Sequence, residues 1–135
     1  MRIVTIISVL MFALVLAGCS AQRLYSVNHA SISPSQTLSQ IEPSIVAALS
    51  YKNWQIRSQQ PGEIVARIDV RQHSATVSIR YDQKSFSIKY VKSEQLEYRA
   101  KQNSIHRNYN KWVKLLEKEI RHYINNPNAQ KIQNH

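Results

Sequence analysis

The sequence predicts an α+β fold, with a four-stranded antiparallel meander that has one face packed by an N-terminal helix and a long C-terminal helix. Apolar residues recur at helical spacing from Leu38 to Leu49, alternate with polar residues between Trp54 and Tyr90, and form a helical stripe from Ile105 to Ile124. Because each predicted element has one apolar face, two layers bury all of these faces.

The first predicted helix is short and contains a proline. Its apolar residues lie three or four positions apart, which is the helical period. They are Leu38, Ile41, Ile45, Ala48 and Leu49. Ser35 or Thr37 can cap its start. Pro43 is comfortable only in a first turn, so we expect the regular helix to begin near Ile41 or to bend at the proline.

Four runs of alternating residues follow this helix, and polar turns separate them. Their apolar positions are Trp54 and Ile56, then Ile64, Ala66, Ile68 and Val70, then Ala75, Val77, Ile79 and Tyr81, and last Phe86, Ile88 and Tyr90. Gln60-Pro61-Gly62 and Asp82-Gln83-Lys84 are typical turn sequences. Alternation of period two with short connections predicts a meander with one buried face.

The C-terminal helix is predicted by a continuous apolar stripe with a basic opposite side. The stripe consists of Ile105, Tyr109, Trp112, Val113, Leu116, Ile120, Tyr123 and Ile124. Asn103 or Ser104 can act as the N-cap, and Asn125-Asn126-Pro127 ends the helix. The polar side carries Arg107, Lys111, Lys114, Lys118 and Arg121. We expect this polar side to be solvated.

The N-terminal segment is apolar and ends in the only cysteine of the chain. A positive start at Arg2, an apolar stretch of about 7–15 residues and small residues before a cleavage site are typical of a secretory signal peptide. Leu16-Ala17-Gly18-Cys19 resembles the lipobox of bacterial lipoproteins, which implies a diacylglycerol thioether and an N-acyl chain on Cys19. The alternative is an uncleaved anchor helix, although a membrane span needs about 20 apolar residues.

The chain is predicted to have four parts, of which the lipobox sets the first boundary and the predicted helices set the others. They are a signal peptide at 1–18, a lipidated tether at 19–36, a single α+β domain at 37–125 and a flexible tail at 126–135. Leu24–Val27 is a weak candidate for an edge strand within the tether. Position +2 is Ser20 rather than the Asp that retains such lipoproteins in the inner membrane. The resemblance therefore implies the periplasmic face of the outer membrane.

The chain is strongly basic. It carries 18 Lys and Arg residues against 8 Asp and Glu, a net charge of +10, and removal of Arg2 with the signal peptide lowers this by one. In the cell envelope such charge suggests anionic neighbours, which include lipid headgroups, lipopolysaccharide, peptidoglycan and acidic protein faces. Nucleic acid fits the charge but not this compartment. A generally basic, solvated surface without a dedicated partner is the alternative.

Few groups after the signal peptide could perform catalysis. The histidines do not pair at metal-ligand spacing, so no metal site is predicted. They are His29, His73, His106, His122 and His135. Gly62 is the only glycine after Cys19, which excludes a Gly-rich phosphate loop. The lipid occupies the thiol of Cys19, and no pair of carboxylates suggests acid–base catalysis. We therefore predict no enzymatic activity and no cofactor.

The start of the C-terminal helix carries a second, less specific resemblance. Tyr90, Ser93, Leu96 and Tyr98 precede Ile105-His106-Arg107-Asn108-Tyr109-Asn110-Lys111-Trp112. This segment resembles small uncharacterised Gram-negative bacterial lipoproteins with a Tyr…Ser…Leu-x-Tyr segment and an Ile-His-x-x-Tyr-Asn-x-Trp helix start. The resemblance implies no known reaction.

His106 and Asn110 lie four residues apart and share one helix face, next to the loop 92–103. One interpretation is a polar recognition site formed with Tyr98 at the helix start, where backbone N–H groups favour anions. The other is that His106 and Asn110 fix the loop through hydrogen bonds from side chain to backbone. Tyr109 and Trp112 are expected in the core.

The outward face of the meander is a second candidate binding surface. It would present Arg67, Arg71, Arg80 and Lys89, among other cations, which Glu63 and Asp69 offset only in part. This face could dock on phosphate-bearing lipid or on peptidoglycan, or it could be an ordinary solvated sheet face.

The leading hypothesis is an outer-membrane lipoprotein that faces the periplasm and serves as a non-enzymatic binding or accessory module of the cell envelope. Its partners would be the membrane, through the lipid on Cys19, and an anionic envelope component or an envelope protein. The alternative is a binder of an anionic small molecule or glycan, seated where the sheet meets the loop 92–103.

Overall fold

A computed structural model describes residues 20–132 of the chain. The predicted signal peptide and Cys19 lie outside the described residues. The strands are β1 (Ala21–Arg23), β2 (Val27–Ser31), β3 (Gln55–Gln60), β4 (Glu63–Val70), β5 (His73–Tyr81), β6 (Ser85–Glu94) and β7 (Ser104–His106). The helices are α1 (Leu38–Tyr51), α2 (Arg107–Asn125) and a 3-10 helix (Pro127–Ile132).

The prediction of a four-stranded meander is wrong. Residues 20–132 form an α+β fold with seven strands in two antiparallel sheets, a five-stranded sheet of order β2-β6-β5-β4-β3 and a two-stranded sheet of β1 and β7. The meander β3 to β6 is present, but β2 extends it beyond β6. The segment 19–36, predicted as a tether, thus contributes β1 and β2.

These additional strands lack the alternation that reveals a half-buried strand. All three residues of β1 are exposed. In β2 only Val27 and Ala30 are buried, because a bulge between them places two residues where one is expected. The bulge residue His29 has a φ of 48°, and its N–H donates to Ser87 Oγ at 3.0 Å.

Strands β4, β5 and β6 bury most of the face that their alternation predicts, whereas β3 is exposed along its whole length, Ile56 included, and Val70 at the end of β4 is exposed too. On β4 and β5, Ile64, Ala66, Val77 and Ile79 are completely buried, and Ile64 pairs with Ile79 across the two strands. The buried side chains of this face and of both helices belong to one core. The sheet forms one layer and the helices form the other, so the second face of the sheet points away from the helices.

The start of α1 agrees with the prediction in its N-cap, which is Thr37, but differs in where the regular helix begins. α1 begins at Leu38, and the backbone N–H of Thr37 donates to Gln40 Oε1 at 3.0 Å. Pro43 therefore lies inside the helix, on its exposed side. α2 begins only after β7, and its N-cap is His106 rather than Asn103 or Ser104. The pairing of β7 with β1 uses the residues that would otherwise form the first turn.

Candidate functional site

The segment that follows Cys19 is folded onto the start of α2. The backbone N–H of Arg107 donates to the carbonyl of Ser20 at 2.8 Å. Ala21 pairs with His106 in the two-stranded sheet, and Leu24 N–H donates to Asn103 O at 2.8 Å. Ser20, which directly follows the predicted lipid-bearing cysteine, is therefore already held against α2.

Asn110 fastens this segment to α2. Its side chain is buried, with 4% of the residue exposed. Its amide Nδ2 donates to Arg23 O at 2.8 Å and to Gln22 Oε1 at 3.3 Å, and its Oδ1 accepts from Tyr25 N at 2.9 Å. The hydrogen-bonding groups of Asn110 thus hold residues 22–25 rather than the loop 92–103.

Tyr25 extends the contact along the same helix. Its hydroxyl donates to Glu117 Oε1 at 2.5 Å, and Lys114 Nζ lies 5.1 Å from its ring centroid. The hydrogen bond to Glu117 raises the pKa of Tyr25 above its ordinary value, and burial adds to this. Residues 20–25 therefore run beside α2 from its first residue to its third turn.

His106 connects the predicted loop 92–103, of which residues 92–94 belong to β6 and only the part from Gln95 onward is a loop, to the helix start. Its Nδ1 accepts from Asn108 N at 3.2 Å, which caps α2, and its own N–H donates to Leu96 O at 2.8 Å. The ring stacks on that of His73 with centroids 6.2 Å apart. The Nδ1 of His73 in turn hydrogen-bonds Gln95 O at 2.7 Å.

Tyr98 stacks on the aromatic ring below it instead of lining a cleft. Its ring lies 4.1 Å from that of Tyr90, and Tyr90 meets Tyr109 edge-on at 5.6 Å. The hydroxyls of Tyr90 and Ser93 are 2.9 Å apart, and Leu96 is buried. Residues of the Tyr…Ser…Leu-x-Tyr segment thus contact one another where the sheet meets the loop that precedes α2. Binding of an anion or a glycan at this place stays a prediction, and none of these contacts favours such binding.

The outward sheet face is less basic than its composition predicts, because two of its arginines are paired. Arg67 Nη2 lies 2.9 Å from Asp69 Oδ1, and Arg80 Nε lies 2.8 Å from Glu63 Oε2. The hydrogen bond from each guanidinium lowers the pKa of its carboxyl partner.

The other two predicted cations of this face are placed differently. Arg71 lies in the turn between β4 and β5 with a φ of 57°. Lys89 is exposed and lines an open depression of about 440 Å³, together with His29, Arg80 and Ser87. The structure therefore does not bring Arg67, Arg71, Arg80 and Lys89 together into one cluster.

A groove beside the N-terminal segment was not predicted. It has a volume of about 490 Å³ and lies between β1 and α2. Its lining includes Gln22, Arg107, Asn108, Lys111, Lys114 and Leu115. The spacing of the three cations was visible in the sequence. The docking of residues 20–25 beside them was not, because the partners lie more than 80 residues apart in the chain.

Neither a metal site nor a membrane-spanning helix is found within the described part of the chain. In residues 20–132, no three His, Cys, Asp or Glu side chains are grouped as metal ligands. None of the helices in that range is both long and apolar enough to cross a membrane. No protein-family model and no curated protein sequence matches the chain.

Proposed function

We propose that this chain is a lipid-anchored protein of the bacterial cell envelope. More particularly, it is an outer-membrane lipoprotein that faces the periplasm and acts as a non-enzymatic binding or accessory module. The observation that carries the proposal is Leu16-Ala17-Gly18-Cys19, which follows an apolar run and contains the only cysteine. Ser20 at position +2 supports the outer membrane.

The fold of the described residues supports this proposal in one respect. Among the described residues, Ser20 accepts a hydrogen bond from Arg107, and β1 begins at Ala21. Cleavage of a signal peptide before Cys19 would leave these contacts in place. Two or more acyl chains then give stable anchoring, because each buried CH₂ contributes about 0.8 kcal/mol.

The non-enzymatic part of the proposal depends on how the polar groups are used. The thiol of Cys19 is assigned to the lipid. His106 caps α2, and Asn110 binds the backbone of residues 23–25. The basic composition supports an anionic envelope component or an acidic envelope protein as partner.

Replacing Cys19 by Ser tests the anchor. We expect Cys19→Ser to abolish incorporation of labelled palmitate and to change the electrophoretic mobility, because no other thiol can accept the diacylglycerol. Ser20→Ala is the matched control, since it alters the adjacent side chain and leaves the thiol. It should keep both the label and the mobility. If Cys19→Ser stays in the membrane fraction with unchanged mobility, the lipoprotein proposal fails.

A further inference from the structure

α2 carries a row of four cations on its outward side. Arg107, Lys111, Lys114 and Lys118 are separated by four, three and four positions, so they lie within an arc of about 60° on a helix of 3.6 residues per turn. All four residues are exposed, and the buried residues Tyr109, Leu116 and Ile120 lie on the opposite side of the helix. We call these four residues the basic row.

No ion pair within the described part of the chain neutralises the basic row. The ion pairs formed within residues 20–132 involve Lys52, Arg67, Arg80 and Arg121, and none of them includes a member of the row. Lys114 Nζ lies 5.1 Å from the ring centroid of Tyr25. The neighbouring Arg121, by contrast, lies 3.6 Å from Glu117. The row therefore keeps four unpaired positive charges over a length of about 16 Å.

The N-terminal segment places the row beside the proposed lipid anchor. The carbonyl of Ser20 accepts a hydrogen bond from the backbone of Arg107, the first residue of the row. Gln22 lines the same groove as Arg107, Lys111 and Lys114. Since one extended residue spans at most about 3.6 Å, almost no free chain separates the lipidated residue from the start of the row.

A bilayer that holds the acyl chains of Cys19 would therefore lie within reach of these charges. The Debye length at physiological salt is about 8 Å, and each Lys or Arg this close to an anionic leaflet strengthens its attachment about fivefold. We infer that the basic row is the membrane-facing surface of the domain and binds the phosphates of anionic phospholipid headgroups, with α2 lying along the bilayer. This inference rests on the lipid anchor proposed above.

This orientation also separates the two basic surfaces of the protein. The outward side of α2 and the outward face of the sheet lie on opposite sides of the two-layer core. When the row contacts the bilayer, the sheet face with Lys89 points away from the membrane. That face is then free for a partner in the periplasm.

The test uses the full lipidated protein in vesicles of phosphatidylcholine, with or without about one third phosphatidylglycerol. Since the lipid occupies the sulfur of Cys19, Leu115→Cys provides a single free thiol for a fluorophore beside the row. Lipids with a nitroxide near the headgroup then quench the fluorophore at close approach. Ser58→Cys, on the exposed strand β3, provides the reference position.

We expect the fluorophore at position 115 to be quenched in the phosphatidylglycerol vesicles and much less in vesicles of phosphatidylcholine alone. The fluorophore at position 58 should be quenched in neither kind of vesicle. Changing the four residues of the row to Gln should reduce the ratio of domains that lie on the bilayer to domains that do not. We expect a reduction of more than a hundredfold, at about fivefold per cation. The matched control removes the same charge elsewhere, through Arg57→Gln, Lys89→Gln, Lys92→Gln and Lys101→Gln, and should leave the quenching unchanged.

Vesicle flotation in the same samples distinguishes the two proposals. If the protein floats with the vesicles and the Leu115 fluorophore is quenched equally with and without phosphatidylglycerol, the basic row is not a headgroup-binding surface. The same holds if the row variant and the matched control behave alike. If the unsubstituted protein does not float, the lipid anchor is refuted, together with the inference that depends on it.

Discussion

Tyr109→Ala should lower the free energy of unfolding by about 3–5 kcal/mol, as expected for removing a fully buried aromatic ring from a core. Tyr109 has no exposed surface. Its ring lies against Tyr90, which also stacks on Tyr98 of the loop 92–103. The cavity would therefore weaken the core and the loop together. Urea denaturation of the detergent-solubilised protein, followed by circular dichroism, measures the change.

Tyr109→Phe is the matched control for this prediction. The Tyr109 hydroxyl is buried and has no hydrogen-bond partner among the described residues, and its burial raises the pKa of the phenol. Removing a buried hydroxyl without a partner costs nothing, or stabilises by about 1 kcal/mol. A loss with Phe as large as that with Ala would show that the hydroxyl, and not the ring, is the stabilising group.

Asn110→Ala should release the N-terminal segment from α2 and destabilise the protein by about 3 kcal/mol, because buried polar groups are left without partners. Its side chain binds Arg23 O and Tyr25 N, and Ala can replace neither bond. Hydrogen exchange at residues 21–25 measures the release. We expect the protection of these amides to fall about a hundredfold, since 1.4 kcal/mol corresponds to a factor of ten in an equilibrium constant.

Asn108→Ala is the control for this substitution, because it removes the same side chain one half-turn away. The capping bond of Asn108 uses its backbone N–H, which Ala retains. A substitution that leaves a capping bond like this one in place usually changes the free energy of unfolding by less than about 0.5 kcal/mol. Unchanged protection of residues 21–25 in Asn110→Ala would mean that β1 is held by its pairing with β7 alone.

Much of the core could be predicted from the sequence, because alternation and helical spacing report burial directly. The residues Ile64 to Ile88 and the stripe of α2 show this. β1 and β2 could not be predicted in the same way. β1 is exposed along its whole length, and the bulge at His29 interrupts the period of β2. Their pairing depends on contacts with β7 and β6, which local pattern does not reveal.

The candidate site was only partly predictable for a similar reason. Helical spacing places His106 and Asn110 near each other, but their partners are set by what packs beside α2. His106 faces the loop at Leu96, whereas Asn110 faces Arg23 and Tyr25. The basic row was visible as spacing alone. Its relation to the proposed anchor follows only from the docking of Ser20 on Arg107.

The central claim is that Cys19 carries lipid and is the first residue of the mature protein. Mass spectrometry of the N-terminal tryptic peptide from protein purified from its native envelope tests this claim most directly. Because trypsin cleaves after Arg23, we expect the peptide Cys19–Arg23 with a diacylglycerol thioether and an N-acyl chain. A tryptic peptide that runs from Ile3 to Arg23, which an unprocessed chain would release, or a free thiol at Cys19, would contradict the claim.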